Sequence, residues 1–204
     1  MGFGAGTLLS AVAYELVPEA SFKHGVGVGI GVSLGALAYY FGDRIIDKGG
    51  GADRQDIDGG EGGSGFAMFL GALLDGIPEA LILGITLALG GGVSVAFVAA
   101  VFVSNVPQGV AGTSSLRAAG VSDRRIFRMW TALTIACALA AALGFLIADS
   151  VPHTGLYAEA FAGGAVLTML ADSMMPEAFE HGGNTVGLLT VAGFLVAGVL
   201  TVLD

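Results

Sequence analysis

Apolar residues run along this chain in long blocks, broken by short polar intervals. Seven blocks stand out, at roughly 2–20, 25–42, 66–89, 93–114, 126–148, 158–178 and 184–203. Each approaches the roughly 20 apolar residues that an α-helix needs to cross a bilayer. The pattern predicts an all-α integral membrane protein, a helix bundle of seven visible spans forming one domain over 1–204. The only long polar interval is 43–65, DRIIDKGGGADRQDIDGGEGGSG, whose six acids, three bases and many glycines predict a flexible tether. Composition agrees: 12 % of residues are charged, against about a quarter in soluble domains. The 35 glycines suit helices that approach closely in lipid. A net charge of −9 excludes a generic basic surface for nucleic acid. The first block has no basic start and contains Glu15 and Glu19, so it is not a signal peptide.

Lys and Arg mark the cytoplasmic side of such a bundle. Segment 115–128 holds Arg117, Arg124, Arg125 and Arg128, whereas 90–92 and 149–157 hold no base. Alternation then puts the 43–65 loop, with Arg44, Lys48 and Arg54, in the cytoplasm. It also puts Met1 inside and the C-terminal Asp204 outside, leaving Lys23 as the one exception. The expected location is the cell membrane, with multiple passes.

Two stretches 158 residues apart read alike: GAGTLLSAVAYELVPEA (4–20) and AGGAVLTMLADSMMPEA (162–178). They share Gly6/Gly164, Leu9/Leu167, Ala13/Ala171 and the whole Pro-Glu-Ala, and each precedes a Gly-rich block. The first copy runs outward and the second inward. That is an inverted-topology repeat, a plan common in secondary transporters, with the substrate site near the midplane between halves. The block 126–148 precedes the second copy and nothing matches it before the first, so a further span is expected upstream of Met1. The parent architecture would have eight spans arranged three, two and three.

Between the repeats lie DGIPEALILG (75–84) and SNVPQGVAGT (104–113), a looser pair 29 residues apart. Each has a proline at mid-span, Pro78 and Pro107, which removes a backbone hydrogen bond to Leu74 or Val103 and predicts a kink. Asp75 and Glu79 are four apart and share a helical face, as do Ser104 and Gln108, with Asn105 beside them. Carboxylates inside a membrane are costly and normally face a bundle interior or a water-filled path. With no nearby base, this pair asks for a metal cation or a shared proton. The plainer alternative is structural hydrogen bonding by neutral acids, with prolines as packing kinks, and Ser104 readily bonds its own helix backbone.

These two motifs resemble the ZIP (Zrt/Irt-like) family of divalent-metal transporters. Its fourth and fifth spans carry paired motifs of the form His-Asn-x-Pro-Glu-Gly that make a central metal site. The resemblance covers nearly the whole chain and implies that it begins at the family's second span. Here Asp75 and Gly76 stand for the first His and Asn, while Pro78 and Glu79 are kept. In the second motif Ser104 replaces His and Gln108 replaces Glu, with Asn105 and Pro107 kept. The further Glu often found in the sixth span has no counterpart in 126–148. The resemblance thus implies a divergent member, prokaryotic by its Gly/Ala richness, without the motif histidines. Its metal ligands would be Asp75, Glu79, Asn105 and Gln108, with Ser104. The implied substrate is a divalent cation, zinc by family default, with no cofactor required and a homodimer compatible with the reading. Oxygen ligands also suit manganese or iron. The alternative is a degenerate relative that senses metal or assembles with a partner instead of transporting.

In the inferred topology Glu15 and Glu19 would form an external mouth, and Asp172, Glu177 and His181 a cytoplasmic exit. Helix-end acids that snorkel to the interface read the same way in sequence. His24 and His153 read as surface residues, and Met68, Met169, Met174 and Met175 as packing. Trp130 reads as an interfacial anchor. The single Cys137, in an apolar run, permits no disulfide or thiolate metal site within the chain. No His-Glu-x-x-His or Gly-x-Ser-x-Gly motif suggests an enzyme.

Overall fold

The computed structural model describes residues 1–48, 64–88, 95–150 and 154–203, and all their regular structure is helical. Helix α1 (Gly2–Ala11) continues as a π-helical turn (Val12–Leu16), and Pro18 leads through a 3₁₀ turn (Glu19–His24) to α2 (Val26–Lys48). Then come α3 (Ser64–Ala88), α4 (Val95–Ala118), α5 (Asp123–Ser150) and α6 (Thr154–Met169). A second π-helical turn (Leu170–Met174) joins α6 to α7 (Met175–Gly182), and α8 (Thr185–Leu203) follows. The expected all-α membrane bundle is what the chain builds. Among the described residues four helices, α2, α3, α5 and α8, are by themselves long and apolar enough to cross a bilayer. The other three expected spans depart from that standard. Helix α1 has ten residues before its π turn and is almost wholly buried. Helix α4 is diluted by Ser104, Asn105 and Gln108, and α6 is only 16 residues long before it enters its π turn. Phe102, Leu188 and Val202 stand mostly exposed on the outside, a surface that suits lipid and would be a liability in water.

The tether is shorter at both ends than the sequence pattern predicts, and α3 begins at Ser64 inside it. The tether expected from residue 43 starts later, because α2 runs on to Lys48. Arg44, Ile45, Asp47 and Lys48 include no helix breaker, and the Arg44 guanidinium lies 4.6 Å over the Tyr40 ring, a favourable contact one turn back. Residues 49–63, the rest of the tether, fall outside the described part. At the Arg-rich end α4 and α5 are joined by a short turn around Gly120, whose φ of 75° suits glycine. There the Arg117 Nε donates to Asp123 Oδ1 at 2.8 Å, and Arg124, Arg125 and Arg128 are exposed.

The repeat is expressed in three dimensions. Both copies carry their π-helical turn at the same register, Val12–Leu16 and Leu170–Met174, 158 residues apart. Helix α1 packs on α8, and α6 packs on α2. A Cβ on Gly6 would strike the Thr190 carbonyl, and one on Gly193 the Phe3 carbonyl. In the mate, Gly164 meets the Val32 carbonyl and Gly35 that of Phe161. All four pairings map onto one another at the 158-residue offset. The copies part only after the π turn. Val17 and Pro18 leave the helix in the first, whereas Pro176 sits in the first turn of α7 in the second. Helices α3 and α5 use the same device, Gly84 against Ala141 and Gly144 against Leu81. Small residues let backbones meet where lipid offers no hydrophobic drive.

Candidate functional site

Helices α3 and α4 run as α-helix through Pro78 and Pro107. With α5 they line a cavity of about 370 Å³. Each helix contributes a stripe at helical spacing: Ala72, Gly76, Glu79, Ala80 and Leu83 from α3; Val101, Asn105, Gln108 and Gly109 from α4; Trp130, Leu133, Thr134 and Cys137 from α5. Apolar walls with a few convergent polar groups are the usual form of a small-ligand site.

The two carboxylates are both buried, each 2 % exposed, but they serve different neighbours. Glu79 borders the cavity, and its Oε2 accepts from Asn105 Nδ2 at 2.6 Å. Asn105 Nδ2 also donates to the Val101 carbonyl at 3.0 Å. Asp75 is not among the residues bordering the cavity. Its Oδ1 accepts from Tyr39 Oη on α2 at 2.7 Å and its Oδ2 from Gln108 Nε2 at 2.9 Å. Both acids thus reach α4, Asp75 through Gln108 and Glu79 through Asn105, and Asp75 is held besides by Tyr39 of α2. Burial is tolerable for such groups because each carboxylate accepts from a donor.

Ser104 lies apart from these. Its Oγ donates to the Val101 carbonyl at 2.9 Å, and its backbone presses on Gly4 of α1, so it belongs to the α1–α4 contact. Cys137, set aside in the sequence because one thiol alone builds neither a disulfide nor a thiolate site, borders the cavity beside Glu79, Asn105 and Gln108. A Cβ on Gly76 would come 3.1 Å from its Sγ, so glycine at 76 is what admits the thiol to the motif helix. Trp130, expected as an interfacial anchor, also borders the cavity, and its Nε1 donates to Thr113 Oγ1 at 3.0 Å. Its ring stands edge-on to Phe69, centroids 5.9 Å apart. Among the described residues no three His, Cys, Asp or Glu side chains converge on one point, so any cation here needs amide oxygens too.

Among the described side chains, none of the expected mouth and exit residues borders this cavity. Glu15, in the first π turn, accepts from Thr201 Oγ1 of α8 at 3.0 Å. Glu19 is exposed in the 3₁₀ turn, and Asp172 is exposed in the second π turn. Glu177 is buried in the first turn of α7. The backbone of His181 belongs to α7, its side chain is outside the described part, and His153 lies outside altogether.

Sequence reading missed Tyr39, Thr134 and Cys137. The stripe Trp130–Thr134–Cys137 was legible as one face of α5, but its direction was not. Tyr39 sits inside the apolar GALAYYFG with no polar period around it.

A protein of Arabidopsis thaliana named "Putative zinc transporter" is 29 % identical over 186 residues. The match takes in 88 % of this chain and 29 % of that protein, so the chain spans less than a third of its relative. No family model matches the chain, and no solved structure matches it.

Proposed function

We propose that this chain carries divalent metal cations across a membrane in the manner of the ZIP family, through the cavity between α3, α4 and α5. The observation that bears most weight is Glu79: a carboxylate sealed inside an apolar bundle, bordering a cavity that also meets Asn105, Gln108 and Cys137. An anion there is costly unless a cation answers it. The inverted repeat supports a carrier, and the name of the Arabidopsis relative supports zinc among substrates. In this reading Glu79 and the amide oxygens of Asn105 and Gln108 hold the ion, with Asp75 one bond behind. The thiol of Cys137 moves the preference from manganese towards zinc or cadmium, because thiolate favours soft metals.

The test is metal uptake into proteoliposomes, with Zn, Mn, Fe, Co and Cd offered singly and Glu79→Ala as control. Zinc uptake that disappears in Glu79→Ala is expected. Uptake equal in the two proteins would remove Glu79 from the site. A second reading, a metal-binding but non-transporting relative, is favoured by one feature: the polar groups already satisfy one another, Asn105 on Glu79 and Gln108 on Asp75. Zinc binding without uptake of any of the five metals would select it.

A further inference from the structure

Gln108 borders the cavity, yet its amide nitrogen is committed elsewhere, to Asp75 Oδ2. An ionised carboxylate offers only acceptors, so Asp75 dictates which end of the amide it takes. The end left over is the carbonyl Oε1, an acceptor that suits a cation. Asp75 is itself held from its far side by the Tyr39 hydroxyl. Tyr39 is 3 % exposed, so the bond is shielded from water. We propose that Tyr39, Asp75 and Gln108 form a positioning relay. Tyr39 fixes Asp75, Asp75 fixes the Gln108 amide, and the amide presents its oxygen to a divalent cation in the cavity. This rests on the cation-carrier reading above and deepens it: Tyr39 becomes a positioning residue on α2, a helix none of whose described residues borders the cavity.

The surroundings make the hydroxyl matter. Beside Tyr39, between α2, α3 and α6, lies an apolar space of about 190 Å³ bounded also by Leu74, Pro78 and Ala165. Among the described residues that bound it, only Tyr39 carries a polar side chain. Tyr39→Phe keeps the ring and removes the hydroxyl that donates to Asp75 Oδ1, so the hold on Asp75 and on the amide behind it weakens.

The experiment measures zinc chloride binding by calorimetry to the purified protein in nanodiscs, together with zinc uptake into proteoliposomes. Partners that orient metal ligands typically contribute about 10–100-fold to affinity. Tyr39→Phe is expected to weaken zinc binding roughly tenfold, with the loss in KM, so that saturating zinc restores the uptake rate. Asp75→Asn is expected to cost a similar factor, because an amide at 75 lets Gln108 reverse. Links of one relay are not additive, so the double variant should be no weaker than Asp75→Asn alone. Wild-type binding with Tyr39→Phe indistinguishable from it overturns the relay and leaves the carrier reading standing. Absence of zinc binding by the wild type overturns both. Should Tyr39→Phe fail to fold, Asp75→Asn decides: a tenfold loss supports the relay, and complete loss of zinc binding marks Asp75 as a direct ligand and overturns it.

Discussion

Asp75 and Glu79 stand one turn apart on α3 and end on different partners, the first on Tyr39 and Gln108, the second on Asn105 at the cavity wall. Substitutions at the two positions should therefore differ in size. Glu79→Gln removes the charge facing the cavity and is expected to lower zinc affinity by more than the roughly 10–100-fold typical of an outer partner, which equilibrium zinc binding checks directly. Comparable losses at 75 and 79 would place both acids on the ion. Cys137 offers a second measurement, since it is the only thiol in the chain. Cadmium should slow maleimide labelling of Cys137 several-fold while manganese does not. Equal labelling rates with and without cadmium would take the thiol out of the site. The acids were legible because charge is conspicuous in an apolar block. Neither the thiol nor the tyrosine stands out that way, and each gains its meaning from the helix opposite.

At the scale of helices, the contacts that matter are backbone to backbone. Gly35 and Gly164 bring α2 and α6 together, and Gly6 and Gly193 do the same for α1 and α8. Any side chain at these positions meets a carbonyl, which cannot rotate away as a rotamer can. Gly35→Val should therefore cost about 2–3 kcal/mol, at the upper end for overpacking. Gly29→Val on the same helix meets nothing within 4 Å and should cost little, a contrast that thermal unfolding in detergent would register. Equal melting of the two variants would mean that the close approach is not what holds the pair. The boundary of α2 illustrates what hydropathy misses: Arg44 to Lys48 read as tether because they are charged, but they contain no glycine or proline and the helix simply continues.

For the whole molecule, the bundle holds two copies of the repeat, α1–α2 and α6–α8, each helix pair closed by a helix of the other copy, with α3 and α4 packed against them. The exposed arginines at the α4–α5 turn give the orientation its test. In a Cys137→Ser background, Ser122→Cys should react with an impermeant thiol reagent only from the cytoplasmic face, and a cysteine added after Asp204 only from outside. Labelling of both from one side would overturn the orientation. By itself the sequence determined the all-helical membrane class, the repeat and its offset, and the two motifs where charge enters the apolar blocks. Insertion into lipid depends on summed hydropathy, which is additive along the chain and can be read there. The tertiary structure alone decided that Asp75 turns to Tyr39, that Glu79 turns to the cavity, and that Cys137 and Trp130 complete its wall. Rotation of each helix about its axis is set by where small residues let backbones meet, and that depends on two helices at once.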